Sequence, residues 1–329
     1  MKIKLALAFI LLLLFYVDLS AVNINGLSYV LHEKERTATV TSGTSKAVMA
    51  GILTIPEYVT FEQKNYRVVE IDAHAFSGRK DIEWINFPPT IEIVREGAFD
   101  GCRELWSYSW PGDATFMIEA CAFRNCEKLQ VFTFPPLLRV LGAHALEGCR
   151  SLTTLIIGSH LTEIPYQLCK NCTSLSEVVI YPGSFESLKN IRDQCFAGCK
   201  NLSLVILCAN LKKMGSEVFH GCTKLSHFTC TSPYPCEFNA DTFDENHYKE
   251  VRLEIPKGAY DSYINTRYWN KFFNIEEAEE TGISSIAEDE TKETEIYFIN
   301  GYKTGRKRLG VNIVRKPDGT LLKVIYKGK

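Results

Sequence analysis

The sequence predicts a repeat solenoid of short strands and short helical or 3-10 turns, capped at both ends and followed by a small β-like tail. Three observations predict it. A phrase of constant length recurs through most of the chain, apolar residues keep its register, and strand-rich segments outside that register lie at either end. The phrase reads Ala-Phe-x-Gly-Cys-x-x-Leu, then an alternating apolar run that often closes in proline. It returns every 23 or 24 residues, a period at which each unit buries its apolar face against its neighbours.

The register is explicit. Phe76, Phe99, Phe123, Leu146, Cys169, Phe196, Phe219 and Phe243 fill the Phe position, at steps of 23, 24, 23, 23, 27, 23 and 24 residues. The long step holds a four-residue insertion near Tyr181-Pro182-Gly183-Ser184. Three residues on stand Arg79, then Cys102, Cys126, Cys149, Cys172, Cys199 and Cys222. The Leu position runs from Ile82 through Leu105, Leu129, Leu152, Leu175 and Leu202 to Leu225. Another apolar position runs Ile71, Val94, Ile118, Leu141, Ile164, Ile191, Met214.

The elements follow in order. Lys2 and Lys4 precede an apolar run from Leu5 to Val17, with small residues up to Ala21. Residues 1–21 therefore read as a secretory signal peptide. A membrane anchor is the rival, but the run is shorter than the roughly 18–20 apolar residues that span a bilayer. Residues 22–67 do not repeat and read as an N-terminal β cap, with strands at Gly26–Leu31, Thr37–Val40 and Gly51–Pro56. Residues 68–255 hold about eight units, a right-handed or curved array roughly 40 Å long at one strand spacing per unit. In each, the alternation after the Leu position is a strand with pairs such as Phe132 and Phe134 inward, and Ala-Phe-x-Gly-Cys is a short helical turn or 3-10 segment. Val251–Pro256 reads as the last strand, and residues 256–280 as a C-terminal cap, helical around Tyr260 to Tyr263. An acidic linker, 281–294, leads to a basic tail, 295–329. From Gly301 the tail has nine Lys or Arg against one acid, with a Pro317-Asp318-Gly319 turn between two strands.

Composition narrows the function. With 46% hydrophobic residues and a net charge of −2 over 329 residues, the chain is neither disordered nor collagenous. Near-neutral charge gives no electrostatic case for nucleic acid. Twelve cysteines in an exported chain suggest disulfides. Six of them, however, form the once-per-unit ladder Cys102, Cys126, Cys149, Cys172, Cys199 and Cys222, which reads as small buried hydrophobes. Cys230 and Cys236 lie outside the ladder, around a Pro-rich turn, and are the better candidates for a bridge.

Apparent catalytic and metal signals dissolve into the repeat. Cys169-Lys170-Asn171-Cys172 with Cys195 and Cys199 has zinc-like spacing, but all four occupy repeat positions. His74 and His144 share one position with Cys121, Gln167, Gln194 and Glu217, the mixture of a solvated turn. Gly-rich phosphate loops and nucleophile elbows are missing from the sequence. The expectation is a protein with no catalytic residues, no metal and no cofactor.

One face rises above this background. Strand positions between the inward residues should face outward, and they include Trp84, Val131, Ile156, Val179, Leu204 and Ile206. Together with Trp106 they form the candidate ligand-binding set, because contiguous exposed apolar residues mark interfaces and aromatics dominate their energy. The bland reading is ordinary cross-strand pairing of β-branched side chains.

The phrase, its Ile-Pro and Phe-Pro closings, and the ending Tyr268-Trp269-Asn270-Lys271-Phe272 resemble the BspA-like leucine-rich repeats of bacterial surface proteins, over residues 26 to 277. Arg79, Leu146 and Cys169 depart from the pattern in ways that alter packing. The tail, with Arg308-Leu309-Gly310-Val311 and Asp318-Gly319-Thr320, resembles the C-terminal sorting domains of proteins exported by Bacteroidetes bacteria. The resemblance implies a leucine-rich-repeat fold and an exported, adhesin-like protein at the cell surface or secreted, rather than held in the periplasm. Its expected partner is an extracellular protein, such as a host matrix protein or one from another bacterium. The alternative is a carbohydrate-binding accessory of a surface nutrient-uptake system, with a glycan stacked on Trp84 and Trp106. No membrane-spanning segment is expected in the mature chain.

Overall fold

The computed structural model describes residues 21–278 except 44–47, 112–113, 136, 158–159, 181–187 and 208–210, together with four strands between 295 and 326. The leader up to residue 20, the insertion at Tyr181 to Ser184, the linker 281–294 and the Pro317-Asp318-Gly319 turn lie outside the described residues.

The repeats coil into a parallel β-solenoid whose units are joined by three lines of backbone hydrogen bonds. The front line has the longer strands. Ile52–Thr54, Trp84–Asn86 and Ser107–Ser109 form one parallel run. Val131–Thr133, Thr154–Ile157, Glu177–Ile180, Leu204–Leu207, His227–Cys230, Arg252–Ile255 and Asn274–Glu277 form the second. The back line has two-residue strands in two runs: Ile93–Val94, which pairs with Lys64–Ile71, leads to Val140–Leu141, and Glu163–Ile164 leads to Glu237–Phe238.

The third line is a ladder of short turns, in which alternate N–H groups bond three residues back, as Ala75 does to Asp72 and Ser77 to His74. Phe76, Phe99, Phe123, Leu146, Cys169, Phe196 and Phe219 each donate their N–H to a carbonyl of the next coil, at 2.8–3.0 Å. The residues two before and two after them donate to the next coil as well, mostly to backbone carbonyls. A helix would need those N–H groups for itself. The residue two before sits in the left-handed region, with φ between 52° and 60° from His74 to Glu217. The residue two after does so too, and there Gly or Asn is used, at Gly78, Gly101, Asn125, Gly148, Asn171, Gly198 and Gly221. Those residue types bear that conformation at least cost.

The core is one continuous cluster between these lines. Phe76, Phe99 and Phe123 stack at 5.3 and 5.2 Å between ring centroids, and Phe196, Phe219 and Phe243 at 5.8 and 5.0 Å. Leu146 and Cys169 interrupt the aromatic stack, so they alter the packing and leave the coil intact.

Two caps close the ends. At the start, Leu27–His32 pairs antiparallel with Thr37–Thr41, which then pairs parallel with Lys64–Ile71. Ile52–Thr54 lies within the segment read as non-repeating, yet it supplies the first front strand. Ile52-Leu53-Thr54-Ile55-Pro56 has the same alternation and proline as Trp84-Ile85-Asn86-Phe87-Pro88. At the far end, two short helices, Glu245–Glu250 and Tyr260–Ile264, cover the last coil. Trp269 is fully buried there, and its Nε1 donates to the Cys236 carbonyl at 2.7 Å. The Tyr263 hydroxyl donates to the Ser232 carbonyl at 2.8 Å. One further strand, Asn274–Glu277, extends the front line past Arg252–Ile255, which the sequence marked as the last. In the tail, Gly310–Arg315 pairs antiparallel with both Glu295–Phe298 and Leu321–Tyr326.

Candidate functional site: the front face

Parallel, in-register pairing turns the outward positions into two rows. One reads Ile52, Trp84, Ser107, then Val131, Thr154, Glu177, Leu204, His227 and Arg252. The other reads Thr54, Asn86, Ser109, then Thr133, Ile156, Val179, Ile206, Thr229 and Glu254.

The structure divides the sequence-derived set. Trp84 and Trp106 meet, with ring centroids 5.1 Å apart and planes at 60°. Trp106 is 43% exposed and Trp84 half-buried. Val131, 57% exposed, begins the second run. Ile156, Val179 and Ile206 are direct neighbours in one row. Leu204 lies in the other row, between Glu177 and His227. Val179 is a correction, since it is only 3% exposed. It is flanked on both sides by larger apolar side chains, Ile156 and Ile206, on the adjacent strands.

The division falls at Tyr108. There the backbone pairing between Ser107–Ser109 and Val131–Thr133 is missing. The Tyr108 hydroxyl takes its place, accepting from the Thr133 N–H at 2.7 Å and donating to the Thr133 carbonyl at 3.2 Å. Trp110 stacks on Phe87 at 4.3 Å beside it.

Two exposed residues of this face were missed. Ile52, 42% exposed, is the register partner of Trp84, and Met49, 79% exposed, pairs with Ile52. The signal was the Ile-Pro closing of Gly51–Pro56, which marks a repeat strand inside the cap.

The cysteine ladder has one geometry. Each thiol donates to the carbonyl of the Phe-position residue one coil earlier: Cys102 to Phe76, Cys126 to Phe99, Cys149 to Phe123, Cys172 to Leu146, Cys199 to Cys169 and Cys222 to Phe196, at 3.1–3.3 Å. Burial pushes the Cys102 and Cys222 thiols up to about 12, and Cys126, Cys149, Cys169, Cys195 and Cys199 well above their ordinary range. The thiolate needed for a nucleophile or a metal ligand is therefore suppressed. Among the described residues, no group of three or more His, Cys, Asp or Glu is placed to hold a metal ion. Cys230 and Cys236, the candidates for a bridge, are both buried. The His74 and His144 position is accounted for by its left-handed turn.

A rigid repeat coil with an outward face, built on structural cysteines, defines a leucine-rich-repeat solenoid. A BspA type leucine rich repeat region, in 6 copies, matches residues 57–176, 110–226 and 166–279, and the chain belongs to that family. Among solved structures it is similar to a leucine rich repeat protein of T. pallidum, at 25% identity and a TM-score of 0.53, covering 63% of this chain and 91% of that one. It is also similar to a leucine-rich repeat protein from Bacteroides ovatus, at 18% identity and a TM-score of 0.34, covering 78% and 100%. A leucine rich cell surface protein from Faecalibacterium prausnitzii matches at 15% identity and a TM-score of 0.25, covering 80% and 96%. No curated protein matches the chain. Among the described residues, no helix is long and apolar enough to cross a membrane.

Proposed function

We propose that this chain is an exported, adhesin-like surface protein that recognises host or bacterial proteins through its front face, without catalysis. Membership of the BspA type family and the signal-peptide pattern of residues 1–21 support that reading. The observation that carries it is the set of outward apolar residues on a backbone-bonded ladder. Val131 is exposed, and Ile156, Leu204 and Ile206 are half-exposed. Such a face presents contact area with little ordering cost on binding. The test is a pull-down of the full chain against a panel of extracellular-matrix proteins. Saturable retention that is lost on changing Val131, Ile156, Leu204 and Ile206 to Ser supports the reading, and unchanged retention ends it.

A second reading is a carbohydrate-binding accessory of a surface nutrient-uptake system. The observation favouring it is the solvent-facing contact between Trp84 and Trp106.

A further inference from the structure

We propose that the Trp84–Trp106 end of the front face is a binding site for a neutral glycan. This rests on the second reading above and gives it a place and a ligand class. Three observations carry the proposal. The two indoles touch at 60°, so one ring serves as a floor and the other as a side wall. That shape suits the apolar C–H face of a sugar ring.

The indoles are also joined to a polar network that is already set. Trp84 Nε1 donates to Asn86 Oδ1 at 2.8 Å, and Asn86 Nδ2 donates to Thr54 Oγ1 at 3.1 Å. The chain of bonds crosses two strands and holds the Trp84 ring in place. Ser107 and Ser109 follow on the next strand in register. Hydroxyl and amide groups beside an aromatic floor are the partners that sugar hydroxyls require.

The third observation is charge. Ile52–Thr54, Trp84–Asn86, Ser107–Ser109, Val131–Thr133 and Thr154–Ile157 contain no charged residue. Charge enters the front rows only at Glu177, and continues with Arg252 and Glu254. Glu104 and Lys128, near Trp106 and Val131 in sequence, are paired with each other. The exposed Glu83, which precedes Trp84 and whose carbonyl accepts from the Trp106 N–H at 3.0 Å, puts a carboxylate beside the two indoles. That charge disfavours a sulfated or uronic glycan, so the ligand is uncharged.

The experiment is a glycan array carrying neutral and anionic polysaccharides, probed with the full chain and then with variants. Retention on neutral members alone is expected. Trp106→Ala and Trp84→Ala should each weaken it at least ten-fold, Trp106→Tyr should restore part of it, and Val140→Ser, at an exposed position of the back line, should leave it unchanged. Circular dichroism of each variant checks the fold. Neutral-glycan binding that survives Trp106→Ala overturns this site but leaves the carbohydrate reading standing. Binding to no glycan overturns both, and binding confined to anionic glycans overturns the ligand class.

Discussion

At the scale of single residues, the cysteines are explained by hydrogen bonding as much as by volume. Each ladder thiol is small enough for the crowded inner turn and donates to a carbonyl that already accepts a backbone N–H within its own turn. Cys149→Ala removes the bond to the Phe123 carbonyl and leaves a small void. The expected cost is about 1–3 kcal/mol, read as a lower urea midpoint at constant slope. A change within error would show that the thiol is only filler. The ladder itself was legible in the sequence, because six cysteines share one offset. Its bonding was not, since the acceptor lies a full coil away. The burial of Val179 was also hidden. Alternation placed it outward, and only the register that sets it between Ile156 and Ile206 shows that its neighbours cover it.

At the scale of elements, the strands and the short turns were legible, and the bonds that tie one turn to the next were not. Apolar alternation located the front strands, and the Ile-Pro closing held even inside the cap at Ile52–Thr54. The hairpin between Tyr58–Phe61 and Lys64–Ile71 intervenes before the next front strand and hides the period there. The Ala-Phe-x-Gly-Cys segment suggested a short helical or 3-10 turn; alternate N–H groups do bond three residues back, and the others point along the solenoid axis to the next coil. Tyr108 is the element-scale surprise, a side chain standing in for a backbone pair. Tyr108→Phe leaves the Thr133 N–H without its acceptor. The expected loss is about 1–3 kcal/mol, with faster hydrogen exchange at the Thr133 amide than at Leu155. Equal exchange in variant and parent would mean that the hydroxyl does not join the two front runs.

At the scale of the whole molecule, the coils share one core, and their buried thiols give stability a pH signature. The Cys102 and Cys222 thiols ordinarily titrate at 9.0 and are raised to about 12 in the fold. The folded state therefore holds these protons more tightly than the unfolded chain. That contribution is complete below about pH 9 and is lost as pH rises toward 12. The melting temperature should fall steadily between about pH 9 and about pH 12, as the thiols ionise in the unfolded chain but not yet in the fold. A flat profile across that window contradicts the buried-thiol account.

At the same scale, the proposed binding belongs to the front face. The most direct measurement is the matrix-protein pull-down of the full chain beside its variant with Val131, Ile156, Leu204 and Ile206 changed to Ser, the two matched by circular dichroism. The account predicts saturable retention of the parent and at least a ten-fold loss in the variant, as removal of a hot-spot cluster produces. Equal retention of both proteins would contradict it and place the binding surface elsewhere on the solenoid.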